Sequence, residues 1–195
     1  MSKLALDPRT AALLVMDFQT AVVEMVTTGD GGLLPRTARL AQAARDAGMR
    51  VIYVVVGFRA GYPEVSANNL SFAPIRESGR FSEGSPGTEV HAAVAPKPGE
   101  AVVVKHRVSA FAGTDLDMIL RANGVSTLVL AGLATSGVVL STVRHGADAD
   151  YRIAVVEDCC GDRDAEVHRV LMEKVFARQA TVVKAEDVIA ALAAK

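Results

Sequence analysis

Thr127-Leu-Val-Leu-Ala-Gly-Leu-Ala-Thr-Ser-Gly-Val-Val-Leu-Ser-Thr142 opens on an apolar run, Thr127–Ala131, passes through small and hydroxylated residues, and continues from Gly137 as a helical pattern. A short run that is apolar on both faces reads as a strand buried in a parallel sheet, and its passage into a helix as one βα unit. Outward from this stretch the same kind of run recurs at Ala11–Met16, Val51–Val56, Ala101–Val104, Ile153–Val156 and Thr181–Val183. Helix-length segments separate the runs. Leu34–Ala47 stops at Gly48, Thr114 caps the segment that follows it, Ser136 caps Gly137–Ala149, Asp164 opens a segment to Arg178, and Ala185–Ala194 closes the chain. Six strands alternating with helices predict an α/β fold: a three-layer, doubly wound, six-stranded parallel sheet.

The 195 residues, half of them hydrophobic, suit a single domain with a full core spanning 1–195. Lys and Arg number 21 against 22 Asp and Glu, spread without runs, so there is no basic face for nucleic acid and no cationic patch for a membrane surface. The expected partner is a small molecule. No apolar run reaches the roughly 18 residues of a membrane span, and Met1-Ser-Lys-Leu-Ala-Leu-Asp7 lacks the pattern of a secretion signal. The expected location is therefore cytoplasmic. Cys159 and Cys160 are adjacent, which disfavours a disulfide between them, and they are expected as packing thiols after the fifth strand.

From Gly57 to Gly99 the chain is rich in proline and glycine, with only short apolar patches such as Val90–Val94. A connection of this length inside a compact domain serves as a lid, a binding loop or an oligomer contact. It leaves the end of the second strand, the edge at which open α/β sheets bind ligands.

Two charged residues stand at such ends. Asp17 closes Leu13-Leu-Val-Met, where partial burial would raise its pKa and make it a usable general acid or base. Lys105 closes Val102-Val-Val, an awkward place for an ammonium without an anionic partner. Asp17 also fits as a cap on the next turn, and Lys105 as a side chain snorkelling at the sheet rim. The third element is the turn Ala131–Gly137, whose helix start is suited to an anion or a developing oxyanion, with glycines at 132 and 137 allowing close approach. The same residues read equally as an ordinary βα turn.

Leu13-Leu-Val-Met-Asp-Phe-Gln19, Val103-Val-Lys-His-Arg-Val-Ser-Ala-Phe111 and Gly132–Thr142 together resemble, in order and spacing, the three signature blocks of the isochorismatase-like, or cysteine hydrolase, family. The resemblance covers nearly the whole chain, including Asp158 and the Asp164–Val183 segment. It implies a Rossmann-like sheet order, assembly as a homodimer or homotetramer, and a catalytic Asp, Lys and Cys at the strand ends. Asp17 and Lys105 match. The position of the cysteine is Val138, which argues against amide hydrolysis through a thiolate. Some isochorismatases of the family also lack the cysteine and cleave a vinyl ether, a route that needs an acid and an anion clamp.

The resemblance thus implies a hydrolase of a small metabolite with Asp17 as acid, Lys105 as its electrostatic partner, and an anion site on the backbone of Ala134, Thr135, Ser136, Gly137 and Val138. Phe18, Gln19, Arg59, Arg80, Arg107 and Phe111 are the substrate-binding candidates, the arginines because a guanidinium grips a carboxylate with two parallel hydrogen bonds. A member that keeps the pocket without turnover is the alternative, as is an amidase with a non-cysteine mechanism or an assembly role for the Gly57–Gly99 stretch. No metal is expected, since Gly57-Phe-Arg-Ala-Gly-Tyr-Pro63 lacks the Asp-x-His pair of zinc-binding members and the histidines at 91, 106, 145 and 168 are scattered. No cofactor is expected either, because Gly29-Asp-Gly-Gly32 lies too far beyond the first strand for a dinucleotide fingerprint.

Overall fold

The structure is a computed structural model that describes residues 4–26 and 31–194; Gly29 and Asp30 of the glycine cluster lie outside them. In chain order the elements are β1 (Ala11–Met16), α1 (Thr20–Val26), α2 (Leu33–Asp46), β2 (Arg50–Val56), α3 (Ala73–Ser78), β3 (Ala101–Lys105), α4 (Leu116–Ala122), β4 (Thr127–Leu133), α5 (Leu140–Asp148), β5 (Arg152–Gly161), α6 (Ala165–Val170), β6 (Thr181–Val183) and α7 (Ala185–Ala193). The strands pair in parallel in the order β3-β2-β1-β4-β5-β6. This is the expected doubly wound sheet, with the order reversing between β1 and β4.

Each face has its own core. On one, α1, α2 and α7 bury Val23, Leu40 and Val188 against Leu13, Val15 and Tyr53. On the other, α4 and α5 bury Leu116, Leu120 and Val143 against Leu14, Met16 and Leu130. Both faces of β1 are covered, which is why all six of its residues are apolar and buried.

Three expectations change. The fifth strand runs on to Gly161, so Cys159 and Cys160 lie inside it. Glu157 and Asp158 read as its end, yet their side chains are partnered: Glu157 pairs with Lys184 at 2.8 Å, and Asp158 accepts the Ala185 N–H at 2.8 Å. Ser136 is exposed and caps no helix, because the chain enters α5 through a single π-helical turn, Thr135–Val139. Thr114 sits one residue before the N-cap, Asp115, where its hydroxyl accepts the Leu116 N–H at 3.3 Å.

The Gly57–Gly99 stretch folds back over the ends of β2 and β3. Phe58 packs on Tyr62 and Phe72, with ring centroids 5.6 and 5.4 Å apart, and the Tyr62 hydroxyl donates to the Arg80 carbonyl. A bridge between Phe58 and Ser82 ties the start of this arm to its middle.

Gly132 has a packing role. A Cβ there would stand 2.9 Å from Val139 Cγ2 and 3.2 Å from Met16 Cε, so the absent side chain lets the elbow close against β1. Close approach to a ligand is not what Gly132 provides. Gly132→Ala is expected to lower stability by about 1–3 kcal/mol through overpacking, seen as a lower urea midpoint with an unchanged m-value.

Candidate functional site

Asp17 and Lys105 meet at the carboxyl edge of the sheet. Lys105 pairs in register with Val56, and Asp17 directly follows Met16 of β1. They are two strand spacings apart, about 9.6 Å, a gap that the long lysine stem helps to span. Its Nζ lies 2.8 Å from Asp17 Oδ2, and both side chains are more than nine-tenths buried.

Asp17 has φ 57°, the left-handed region, and its N–H donates to the Val54 carbonyl at 2.8 Å. Asp tolerates this backbone better than most residues. Oδ1 is buried and has no hydrogen-bond partner among the described residues. Burial pushes the Asp17 carboxyl up from the ordinary range, and the Lys105 ammonium only partly offsets this. A carboxyl that holds its proton at higher pH, with one oxygen unpartnered, is suited to donate that proton.

The elbow joins the same region. Gly132 sits between Val139 of the elbow and Met16, the residue before Asp17, and a Cβ on Gly137 would come within 4.0 Å of Val108, three residues after Lys105. The Ala110 N–H donates to Thr142 Oγ1 at 3.2 Å, fixing the Lys105–Phe111 block to α5. Val138 is buried in the α4/α5-side core. Of the five residues expected to offer backbone N–H groups, two are engaged internally. Ser136 N–H donates to Asp162 Oδ2 at 2.7 Å and Gly137 N–H to the Ala134 carbonyl at 3.1 Å. Ala134, Thr135 and Val138 remain candidates.

The substrate-binding candidates are spread over both cores, the arm and the surface. Phe18 is buried in the core with α1 and α2. Gln19 is fully buried: its amide donates to the Val56 and Thr88 carbonyls, at 2.9 and 2.7 Å, and its oxygen accepts the Val56 N–H at 2.8 Å. Those bonds saturate it as an anchor between β2 and the arm. Phe111 stacks on His145, centroids 4.5 Å apart, within the opposite core. Arg107 is exposed and donates to the adjacent His106 carbonyl, and Arg80 is exposed with Nη1 3.0 Å from Met25 Sδ. Arg59 lines a cavity, but it is paired with Glu64.

That cavity, about 410 Å³, lies between the arm and the ends of β2 and β3, with Gln19, Phe58, Arg59, Phe81, Glu83 and His106 among its walls. Asp17 and Lys105 do not line it; it reaches their sequence neighbours Gln19 and His106. The His106 imidazole Nδ1 is 2.6 Å from the Gly57 carbonyl, a contact that places a proton on Nδ1. Among the described residues no cluster of His, Cys, Asp and Glu is placed to hold a metal, and no helix is long and apolar enough to cross a membrane. Burial pushes the Cys159 thiol up to about 12 and the Cys160 thiol higher still, so neither is an available thiolate.

Asp162 and His168 touch the elbow and were not among the site residues expected from the sequence. His168 Nδ1 lies 2.8 Å from Thr135 Oγ1. The available signal was local: His168 stands one helical turn after the capping Asp164, on a helix that follows β5 directly.

The isochorismatase domain family matches residues 11–187 of this chain. The chain is 31% identical over 183 residues to maleamate amidohydrolase of Pseudomonas putida, covering 92% of this chain and 85% of that protein. It is 31% identical over 194 residues to ureidoacrylate amidohydrolase RutB of Methylobacterium radiotolerans, covering 88% and 75%. An isochorismatase family protein from Burkholderia thailandensis superposes with a TM-score of 0.87 at 30% identity, over 98% of this chain and 100% of that one.

Proposed function

The chain belongs to the isochorismatase family of hydrolases of small metabolites, and on that premise we propose that it works by acid catalysis at Asp17, with Lys105 as electrostatic partner and without a cysteine nucleophile. The observation that carries this reading is Asp17 itself, a buried carboxyl in a left-handed turn with Oδ2 on Lys105 and Oδ1 unpartnered among the described residues. A buried polar atom without a partner calls for an explanation, and a substrate atom supplies one.

For a vinyl ether of the isochorismate type, Asp17 donates its proton to the terminal enol carbon. The resulting oxocarbenium ion takes up water at the ether-bearing carbon, and the hemiketal collapses to pyruvate and an alcohol. Lys105 holds the conjugate carboxylate as its charge develops, and a substrate carboxylate sits near the elbow. No step needs a side chain at 138 other than valine.

The names of the relatives favour a second reading, amide hydrolysis in which ionised Asp17 activates water. The substrate panel is therefore isochorismate, maleamate and ureidoacrylate, with pyruvate and ammonia measured separately. Pyruvate from isochorismate alone supports the first reading, and ammonia from either of the others the second. Thermal stabilisation by a panel member without turnover supports a binding protein. Assembly as a homodimer or homotetramer belongs to the same proposal; Val102 and Val104 on the edge strand β3, each nearly half exposed, support it, and sedimentation velocity tests it.

Val138→Cys provides a gain-of-function check. A thiol is smaller than the valine it replaces, so the elbow keeps its backbone, and ammonia release from maleamate is expected to rise at least about tenfold over wild type as covalent catalysis becomes available. An unchanged rate would mean either that the elbow does not present position 138 to substrate or that the helix start does not ionise a thiol buried there.

A further inference from the structure

Thr135 is the first residue of the π-helical turn and is fully buried; its hydroxyl lies 2.8 Å from His168 Nδ1. Beside it, Ser136 N–H donates to Asp162 Oδ2. Two side chains of the segment after β5 therefore hold two successive residues of the elbow. Asp164 fixes the start of α6 by accepting the N–H groups of Glu166 and Val167, which sets His168 one turn on.

We propose that His168 is a positioning residue for the elbow: its unprotonated Nδ1 accepts the Thr135 hydroxyl, and this bond fixes the turn that carries Val138. The link to catalysis rests on the acid–base reading above; the bond itself does not. A neutral imidazole with its proton on Nε2 satisfies both partners, since the buried hydroxyl donates and Nδ1 accepts. Protonation of Nδ1 reverses the bond and leaves the Thr135 hydroxyl hydrogen seeking another acceptor inside the core. Burial holds the His168 pKa below its ordinary value, in keeping with the neutral form. The negative charges of Glu157 and Asp162 oppose that shift, whereas the Lys184 ammonium reinforces it.

The test begins with imidazole 15N spectra of the wild-type protein through a pH titration, which need neither substrate nor a variant. His168 is expected as the Nε2–H tautomer with a hydrogen-bonded Nδ1. Amide exchange at Ser136–Val139, corrected for intrinsic rates, is expected to quicken as pH falls through the His168 midpoint. Thr135→Val and His168→Phe should each speed that exchange by about tenfold, the worth of one net hydrogen bond, while Thr135→Ser restores protection and β1 is unaffected. On whichever panel substrate is turned over, the same two variants should lower kcat by a similar factor and leave KM within about twofold. An Nδ1–H tautomer, or elbow exchange indifferent to pH across the His168 titration, overturns the proposal in wild-type protein alone. Absence of turnover on the panel, with the tautomer and exchange as described, counts against the acid–base reading and leaves the positioning bond standing.

Discussion

Asp17→Asn is expected to lower turnover by about 10²–10⁴-fold, the range that removal of a general acid or base produces. Asparagine removes the proton with little change of shape, although it leaves the buried Lys105 ammonium without its anionic partner, so its stability is measured alongside its rate. It has the shape of aspartate, and like aspartate it accepts the left-handed backbone found at φ 57°. The bond from residue 17 N–H to the Val54 carbonyl is independent of the side chain and is kept. What disappears is the transferable proton and the charge facing Lys105. Because burial raises the Asp17 pKa, wild-type activity that uses Asp17 as an acid should persist above the ordinary carboxylate range and decline on the alkaline side. An alkaline limb that survives in Asp17→Asn would assign it to another group.

Lys105→Met carries the largest expected cost in stability, about 3–5 kcal/mol, the penalty for removing one member of a buried ion pair. The methionine follows the lysine stem, so most of the packing remains. The carboxylate left behind has lost the interaction that lowered its pKa, and that pKa rises further. A carboxyl whose folded-state pKa exceeds its unfolded value contributes stability that is fully present below the unfolded value and is lost as pH rises through the folded one. Lys105→Met should thus lie nearer to wild type at mildly acidic pH than at pH 8. The double variant Asp17→Asn/Lys105→Met should be more stable at pH 8 than the sum of the single changes predicts, since no uncompensated charge remains. Urea denaturation of the four proteins at both pH values measures this coupling.

The sheet was legible in the sequence because apolar runs buried on both faces need no knowledge of their neighbours. β1 and β6 begin and end where the runs do, and β2 and β3 differ by one residue at one end. β5 was cut short because Glu157 and Asp158 are charged, and the partners that keep them in a strand, Lys184 and Ala185, lie far along the chain. Asp17 and Lys105 were visible as charges at strand ends; their ion pair depends on the strand order that sets β3 two places from β1.

Side-chain direction was the less legible part. Phe18, Gln19 and Phe111 flank the site in sequence yet turn into the two cores or onto backbone groups. α1 and α3 were not expected, α1 being short and α3 embedded in an arm whose prolines and glycines conceal its periodicity. The hydroxyl–imidazole bond between Thr135 and His168 joins residues 33 apart and follows from no local pattern.

The measurement that bears most directly on acid catalysis without a cysteine is pyruvate release from isochorismate by purified wild-type protein and Asp17→Asn, side by side and over a range of pH. The account predicts multiple turnovers by wild type, declining at alkaline pH, and a rate at least about a hundredfold lower for the variant. Equal rates for the two proteins would contradict it.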